Sequence, residues 1–134
     1  MLTDDRSGPV PVAALPPHQR HLALEFIRDR DAGAAALAPA LRHLTALQQL
    51  HLGAHGYSDA AAEALAPALS RLSQLAELHL HHNEIGDAGC LRLLTALPPL
   101  SPLHTLNLSF NEISPAAKEA DALSRISALT CLRL

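Results

Sequence analysis

Four times along the chain three leucines recur in the pattern Leu-x-x-Leu-x-Leu. The sets are Leu47, Leu50 and Leu52; Leu75, Leu78 and Leu80; Leu103, Leu106 and Leu108; and Leu129, Leu132 and Leu134. The first three are 28 residues apart, and the last follows after 26. In extended backbone, side chains two residues apart share a face, so each set reads as the inward side of a short strand. Three residues beyond the second set stands Asn83, whose amide suits the backbone groups that a turn leaves unpaired. A unit of this size cannot bury its apolar face alone and has to stack on the next copy. The chain is thereby confined to a stacked fold in which each unit touches only its neighbours.

Between the strand sets a second register is kept. Leu37, Leu65 and Leu93 form one column, Leu41, Leu69 and Leu97 the next, and Leu44, Leu72 and Leu100 a third. Steps of four and three are the buried stripe of an amphipathic helix. A unit of 28 residues has room for a full helix opposite the strand, which predicts strand, turn, helix and return loop in every unit. The fold class is therefore α/β.

The stretches Leu-His-Leu-His-His-Asn-Glu-Ile-Gly-Asp-Ala-Gly at 78–89 and Asp-Ala-Gly-Ala-Ala-Ala-Leu-Ala-Pro-Ala-Leu at 31–41 resemble the ribonuclease-inhibitor type of leucine-rich repeat found in NOD-like receptors. The likeness covers residues 22–134. It implies a solenoid with a curved parallel sheet inside and helices outside, acting as a protein-binding module. The same unit occurs in ribonuclease inhibitors and in Ran GTPase-activating proteins, so regulation of a small GTPase is the alternative that the resemblance carries. A receptor would also need nucleotide-binding and effector domains, which are not encoded here.

With 134 residues, 49% of them apolar and 2% aromatic, the chain suits one domain whose core is leucine and alanine. Residues 1–18 read as a flexible Pro-containing leader with no apolar stretch for targeting or membrane crossing. Residues 19–134 read as the repeat domain of about four units. Its first unit is degenerate: Leu22 and Leu24 precede Leu50 and Leu52 by 28, while Gln19 replaces the first leucine and Ile27 takes the asparagine column. The fourth unit places Lys118, Glu119 and Asp121 where small or apolar residues are due. An offset of 26 realigns Leu123, Ile126 and Leu129, which predicts a shorter helix. The last strand leucine is also the last residue, so a domain truncated at its C-terminal end is expected, with an open edge that favours self-association.

Helix starts are specified by Ser58, Gly86 and Ser114 as N-caps, followed by Asp59, Asp87 and Pro115. Pro39 and Pro67 fall inside helices, where a missing N–H predicts a kink or an early break. In the third unit Thr95 holds that position, and Pro98-Pro99 supply the stop.

A net charge of −3 and no run of basic residues argue against nucleic acid, and nothing argues for a membrane. Two cysteines, Cys90 and Cys131, are too few for a disulfide framework and point to a reducing, cytoplasmic setting. Cys90 takes the place of Ala34 and Ala62 and reads as a small packed thiol. No G-x-S-x-G, H-E-x-x-H or G-x-x-x-x-G-K-[ST] motif is present, so neither catalysis nor a cofactor is expected.

Residues between the strand leucines face the concave side. There Gln48, Gln49, His51, Gly53, Ala54, Ala76, Glu77, His79, His81, His82, His104, Thr105, Asn107, Ser109 and Phe110 are displayed. From these, Gln49, His51, Glu77, His79, His81, His104, Asn107 and Phe110 are the expected contacts for a protein partner, with Phe110 as an aromatic anchor. Strands stack about 4.8 Å apart, so His51, His79 and Asn107 form a row. Clustered imidazoles raise a metal- or pH-responsive surface as a further alternative. Because no carboxylate or cysteine is evident at a completing spacing, a polar recognition surface without bound metal is the preferred reading.

Overall fold

The computed structural model describes residues 3–4, 10–11, 18–24, 30–96, 103–114 and 131–133. Strands β1 (Thr3–Asp4) and β2 (Val10–Pro11) form one short antiparallel pair within the segment read from sequence as a leader. The remaining strands make a single parallel sheet in chain order: β3 (His21–Ala23), β4 (Gln49–His51), β5 (Glu77–His79), β6 (Thr105–Asn107) and β7 (Cys131–Arg133). Helices α1 (Arg30–Leu41), α2 (Asp59–Leu69) and α3 (Asp87–Ala96) follow β3, β4 and β5, and α2 packs between the other two. No helix among the described residues is long and apolar enough to cross a membrane.

The leucine register is the register of the sheet. Leu22, Leu50, Leu78, Leu106 and Leu132 pair in one row. In β3 to β6 the middle residue is buried and its two neighbours are half-buried on the opposite face. Leu24, Leu52, Leu80 and Leu108 form a second fully buried row, and Leu47, Leu75 and Leu103 a third. Leu37, Leu65 and Leu93 meet these rows from the helices. The degenerate first unit is thus a full member of the sheet, with Gln19 folded back so that its amide donates to the His21 carbonyl at 2.7 Å. Neighbouring strands sit about 4.8 Å apart, whereas packed helices need about 8–10 Å. A stack of such units therefore bends toward its strands and leaves their outer face concave.

Neither internal proline ends its helix at once, since α1 and α2 each run two residues beyond Pro39 and Pro67. Both prolines are exposed, and so are Ala35 and Glu63, whose carbonyls lose the usual partner four residues on. Water can serve those oxygens, so the cost stays small enough for the helix to continue. Ile27, the stretch from Leu97 to Pro99 with Leu100, Pro115, the shortened fourth-unit helix and Leu134 lie outside the described residues.

The first-turn aspartates have a role that a single helix does not reveal. Asp31 accepts from the Ser58 N–H at 2.8 Å and from its hydroxyl at 2.6 Å. Asp87 does the same for Ser114, at 2.7 and 2.6 Å. Asp59 accepts from the Gly86 and Gly89 N–H groups at 2.7 and 3.0 Å. Each carboxylate therefore grips the start of the next unit, while Ser58 also caps α2 through its Oγ at 3.3 Å from the Ala60 N–H. Gly89 is required here: a Cβ would lie 2.4 Å from Asp59 Oδ1 and 3.0 Å from its Cα.

Hydrogen bonds from Ser58 and Ser114 hold the Asp31 and Asp87 carboxyls below their ordinary pKa of 3.8. A carboxyl that is more acidic folded than unfolded contributes its stability above the unfolded value and loses it as pH falls through the folded one. We expect the unfolding midpoint to drop as pH falls below 3.8, and an Asp31→Asn, Asp87→Asn double variant to show a shallower decline across that window in a pH series of thermal melts.

Candidate functional site

Strands β4, β5 and β6 each leave the sheet through a turn in left-handed backbone. Ala54, His82 and Phe110 occupy one column and have φ of 60°, 55° and 58°. Residues other than glycine rarely adopt that region, at a cost of about 1–2 kcal/mol per residue. The next residue in each unit holds the turn in place. Asn83 is buried, and its Nδ2 donates to the carbonyls of Leu80 at 2.9 Å, Leu52 at 3.0 Å and His81 at 3.3 Å. Its Oδ1 accepts from the His55 and Tyr57 N–H groups at 2.9 and 3.1 Å. Asn111 repeats the pattern, donating to Leu80 and Leu108 and accepting from the Ile85 N–H.

In the unit before, that column belongs to His55, a fully buried residue whose Nε2 donates to the Leu24 carbonyl. His55 does for Leu24 what Asn83 does for Leu52, with its ring stacked on Tyr57 at 4.7 Å. It is the polar residue that reading the sequence overlooked. Its signal was present, since it lies 28 residues before Asn83.

These turns and strands lay out a continuous path of aromatic rings on the open face of the sheet. His21 stacks on His51 at 5.2 Å and His51 on His79 at 4.2 Å. His79 meets His81 edge-on at 6.3 Å, and His81 meets His82 likewise at 5.6 Å. His82 then stacks on Phe110 at 4.3 Å with the rings 7° from parallel. The path passes over Gly53 because a Cβ there would lie 2.6 Å from His81 Nε2. Phe110 is 72% exposed, and a large apolar ring so open to water is a feature of contact surfaces. Beside the His82 end lies an open cleft of about 560 Å³, bordered by Arg30, Ala54, Gly56 and Glu84.

The expected residues are distributed over this face as follows. His51, His79 and Asn107 form the predicted row by sheet register. Gln49 and Thr105 flank Glu77 in the neighbouring row, and Glu77 Oε2 accepts from His79 Nε2 at 3.4 Å. His51, Glu77 and His79 each offer one ligand-type atom, all within 4.8 Å of one another. A carboxylate does therefore stand beside the histidines, contrary to the expectation that none completes a site. Asn107 turns partly onto its own strand end, its Oδ1 accepting from the Ser109 hydroxyl at 2.6 Å. His104 lies at the opposite end of β6 from Phe110, with Nδ1 2.9 Å from Thr105 Oγ1. His21 and His82 belong to the ring path although they were not among the expected contacts. His21 is found by carrying the 28-residue register back from Gln49.

Cys90 is buried in the column of Ala34 and Ala62. Burial pushes its thiol up to about 11, aided by the charges of Asp87 and Asp59, so at neutral pH it stays protonated and a poor nucleophile.

Comparison with known proteins agrees with this architecture. The leucine-rich repeat family signature matches residues 74–94 and 100–117. Among solved structures, the chain is similar to leiomodin-1 actin-binding site 2, with a TM-score of 0.74, 19% identity, and coverage of 91% of this chain and 73% of that one. It is also similar to an internalin (inlF) from Listeria monocytogenes, with a TM-score of 0.52, 27% identity, and coverage of 71% and 24% respectively. No curated protein matches it by sequence. The repeated leucine register, the five-stranded parallel sheet backed by helices and these likenesses show one fold, that of an α/β leucine-rich repeat solenoid.

Proposed function

We propose that the chain is a non-catalytic protein-interaction module that holds its partner on the concave face, through Gln49, His51, Glu77, His79, His81, Asn107 and Phe110, with His104 at the far rim. The observation that carries this reading is the exposed His82–Phe110 stack, built on left-handed backbone that non-glycine residues seldom adopt. Strain of that kind persists only where the surroundings fix it, and it collects at sites of contact. Rigid aromatic groups at the centre of a face are the usual anchors of an interface. The similarity to an actin-binding site of leiomodin-1 supports a protein as partner, without extending actin itself to this chain. Helices of 10 to 12 residues behind β3, β4 and β5 support the ribonuclease-inhibitor type of repeat, and the free, buried Cys90 suits a reducing cytoplasm.

The test is a capture experiment read as a difference between faces. Phe110→Ala should weaken retention of a captured partner by about tenfold or more, the loss expected of an interface anchor. Glu63→Arg, on the exposed back of α2, should leave retention unchanged. If the α2 substitution were the harmful one, the helical face would be the binding face.

A further inference from the structure

The geometry points to a binding site for one divalent transition-metal ion of the zinc class on the concave face, with His51, Glu77 and His79 as its ligands. The three residues come from two adjacent strands. Glu77 and His79 are two apart on β5 and so share a face, and His51 stands in register with His79 from β4. Their donor atoms already lie within 4.8 Å of each other, and His79 Nε2 is 3.4 Å from Glu77 Oε2. Around a tetrahedral zinc with bonds of about 2.0–2.1 Å, donor atoms stand about 3.3 Å apart. The Glu77–His79 pair is at that separation before any ion arrives, and an ion would take the place of the His79 Nε2 proton, the neutral ring then carrying its proton on Nδ1. The His51 donor lies within 4.8 Å of the other two, and because the stacked rings are 17° from parallel and their lone pairs lie in the ring planes, the imidazoles must turn out of the stack to meet one ion.

The donor set selects the ion. Two imidazoles and one carboxylate, with no thiolate, suit zinc and its transition-metal neighbours, whereas magnesium and calcium prefer shells of oxygen. Three protein ligands leave a tetrahedral ion with one open position. At the side chains of His79 and Glu77, 19% and 29% exposed, that position opens toward solvent rather than into the leucine core. The surroundings also suit ligands held in place: His21 stacks on the outer side of His51, and Gln49, Thr105 and Asn107 are the polar neighbours in register. Metal binding is a property of the chain alone, so it stands or falls independently of the partner proposed above.

Calorimetric titration of Zn²⁺ into the tag-free full chain tests it. One site of micromolar or tighter affinity is expected, undisturbed by excess Mg²⁺. His51→Ala, Glu77→Gln and His79→Ala should each weaken it by about tenfold or more, at least the loss seen when outer-shell partners of a metal are removed. His43→Ala, an exposed histidine that follows α1 and lies outside the sheet, should leave it unchanged. Zinc should also raise the thermal midpoint of the wild-type chain and not that of the three variants, whose metal-free melts show whether they are folded. No binding at micromolar zinc, or binding that none of the three substitutions alters, would overturn the site. Tight binding that survives Glu77→Gln would equally overturn it, because the carboxylate is what distinguishes this triad from a pair of surface histidines.

Discussion

Asn83→Ala is expected to lower the unfolding free energy by about 3–5 kcal/mol, measured by urea denaturation. One buried amide serves the Leu52, Leu80 and His81 carbonyls and the His55 and Tyr57 N–H groups. Alanine keeps the backbone and removes all five contacts. A buried polar group left without a partner costs about 1–3 kcal/mol, and several are orphaned at once where little water can replace the side chain. The left-handed turn at His82 loses its clamp in the same step. The loss is large against the roughly 5–15 kcal/mol that holds a typical domain together. Asn111→Ala should cost less, because Asn111 is only half-buried and water can reach part of its site. His55→Asn should be tolerated better than His55→Ala, since an amide can still donate toward Leu24. A drop below about 1 kcal/mol for Asn83→Ala would mean that these backbone groups find other partners and that the column does not hold the units together.

Leu78→Ala should be nearly as damaging, at about 2–5 kcal/mol. Its side chain is wholly buried at the middle of the sheet, in register between Leu50 and Leu106. A void there removes contacts on both sides, and the flanking strands cannot close it without breaking their own register. Leu91, on α3 and 52% exposed, is the matched control. Leu91→Ala should stay within about 0.5 kcal/mol of wild type. Equal losses at the two positions would contradict the assignment of the strand leucines to a shared core.

The leucine register made the sheet legible before any coordinates. A side chain that must be buried at the same point of every unit leaves a period, and that period fixed the pairing of Leu50 with Leu78 and of His51 with His79. What stayed hidden depended on contacts between units rather than on recurrence within them. Asp59 is sufficiently explained by the start of its own helix, so nothing in the sequence pointed to its bonds with Gly86 and Gly89. His55 was overlooked because the column was followed by residue type, although an imidazole can donate to a carbonyl as an amide does. Positive φ at His82 and Phe110 was not foreseeable from residues that disfavour it. Glu77 was counted as a display residue, and its place beside His79 and His51 came from the pleat and the rotamers that stacking selects.

Binding through the concave face is tested most directly by hydrogen–deuterium exchange of the chain with and without its captured partner. Bound partner should slow exchange in peptides spanning 49–55, 77–83 and 105–111, strongest at the turns that carry Ala54, His82 and Phe110, and leave those spanning α2 and α3 unchanged. Protection confined to residues 59–69 and 87–96, with the strand turns exchanging as freely as in the unbound chain, would contradict it.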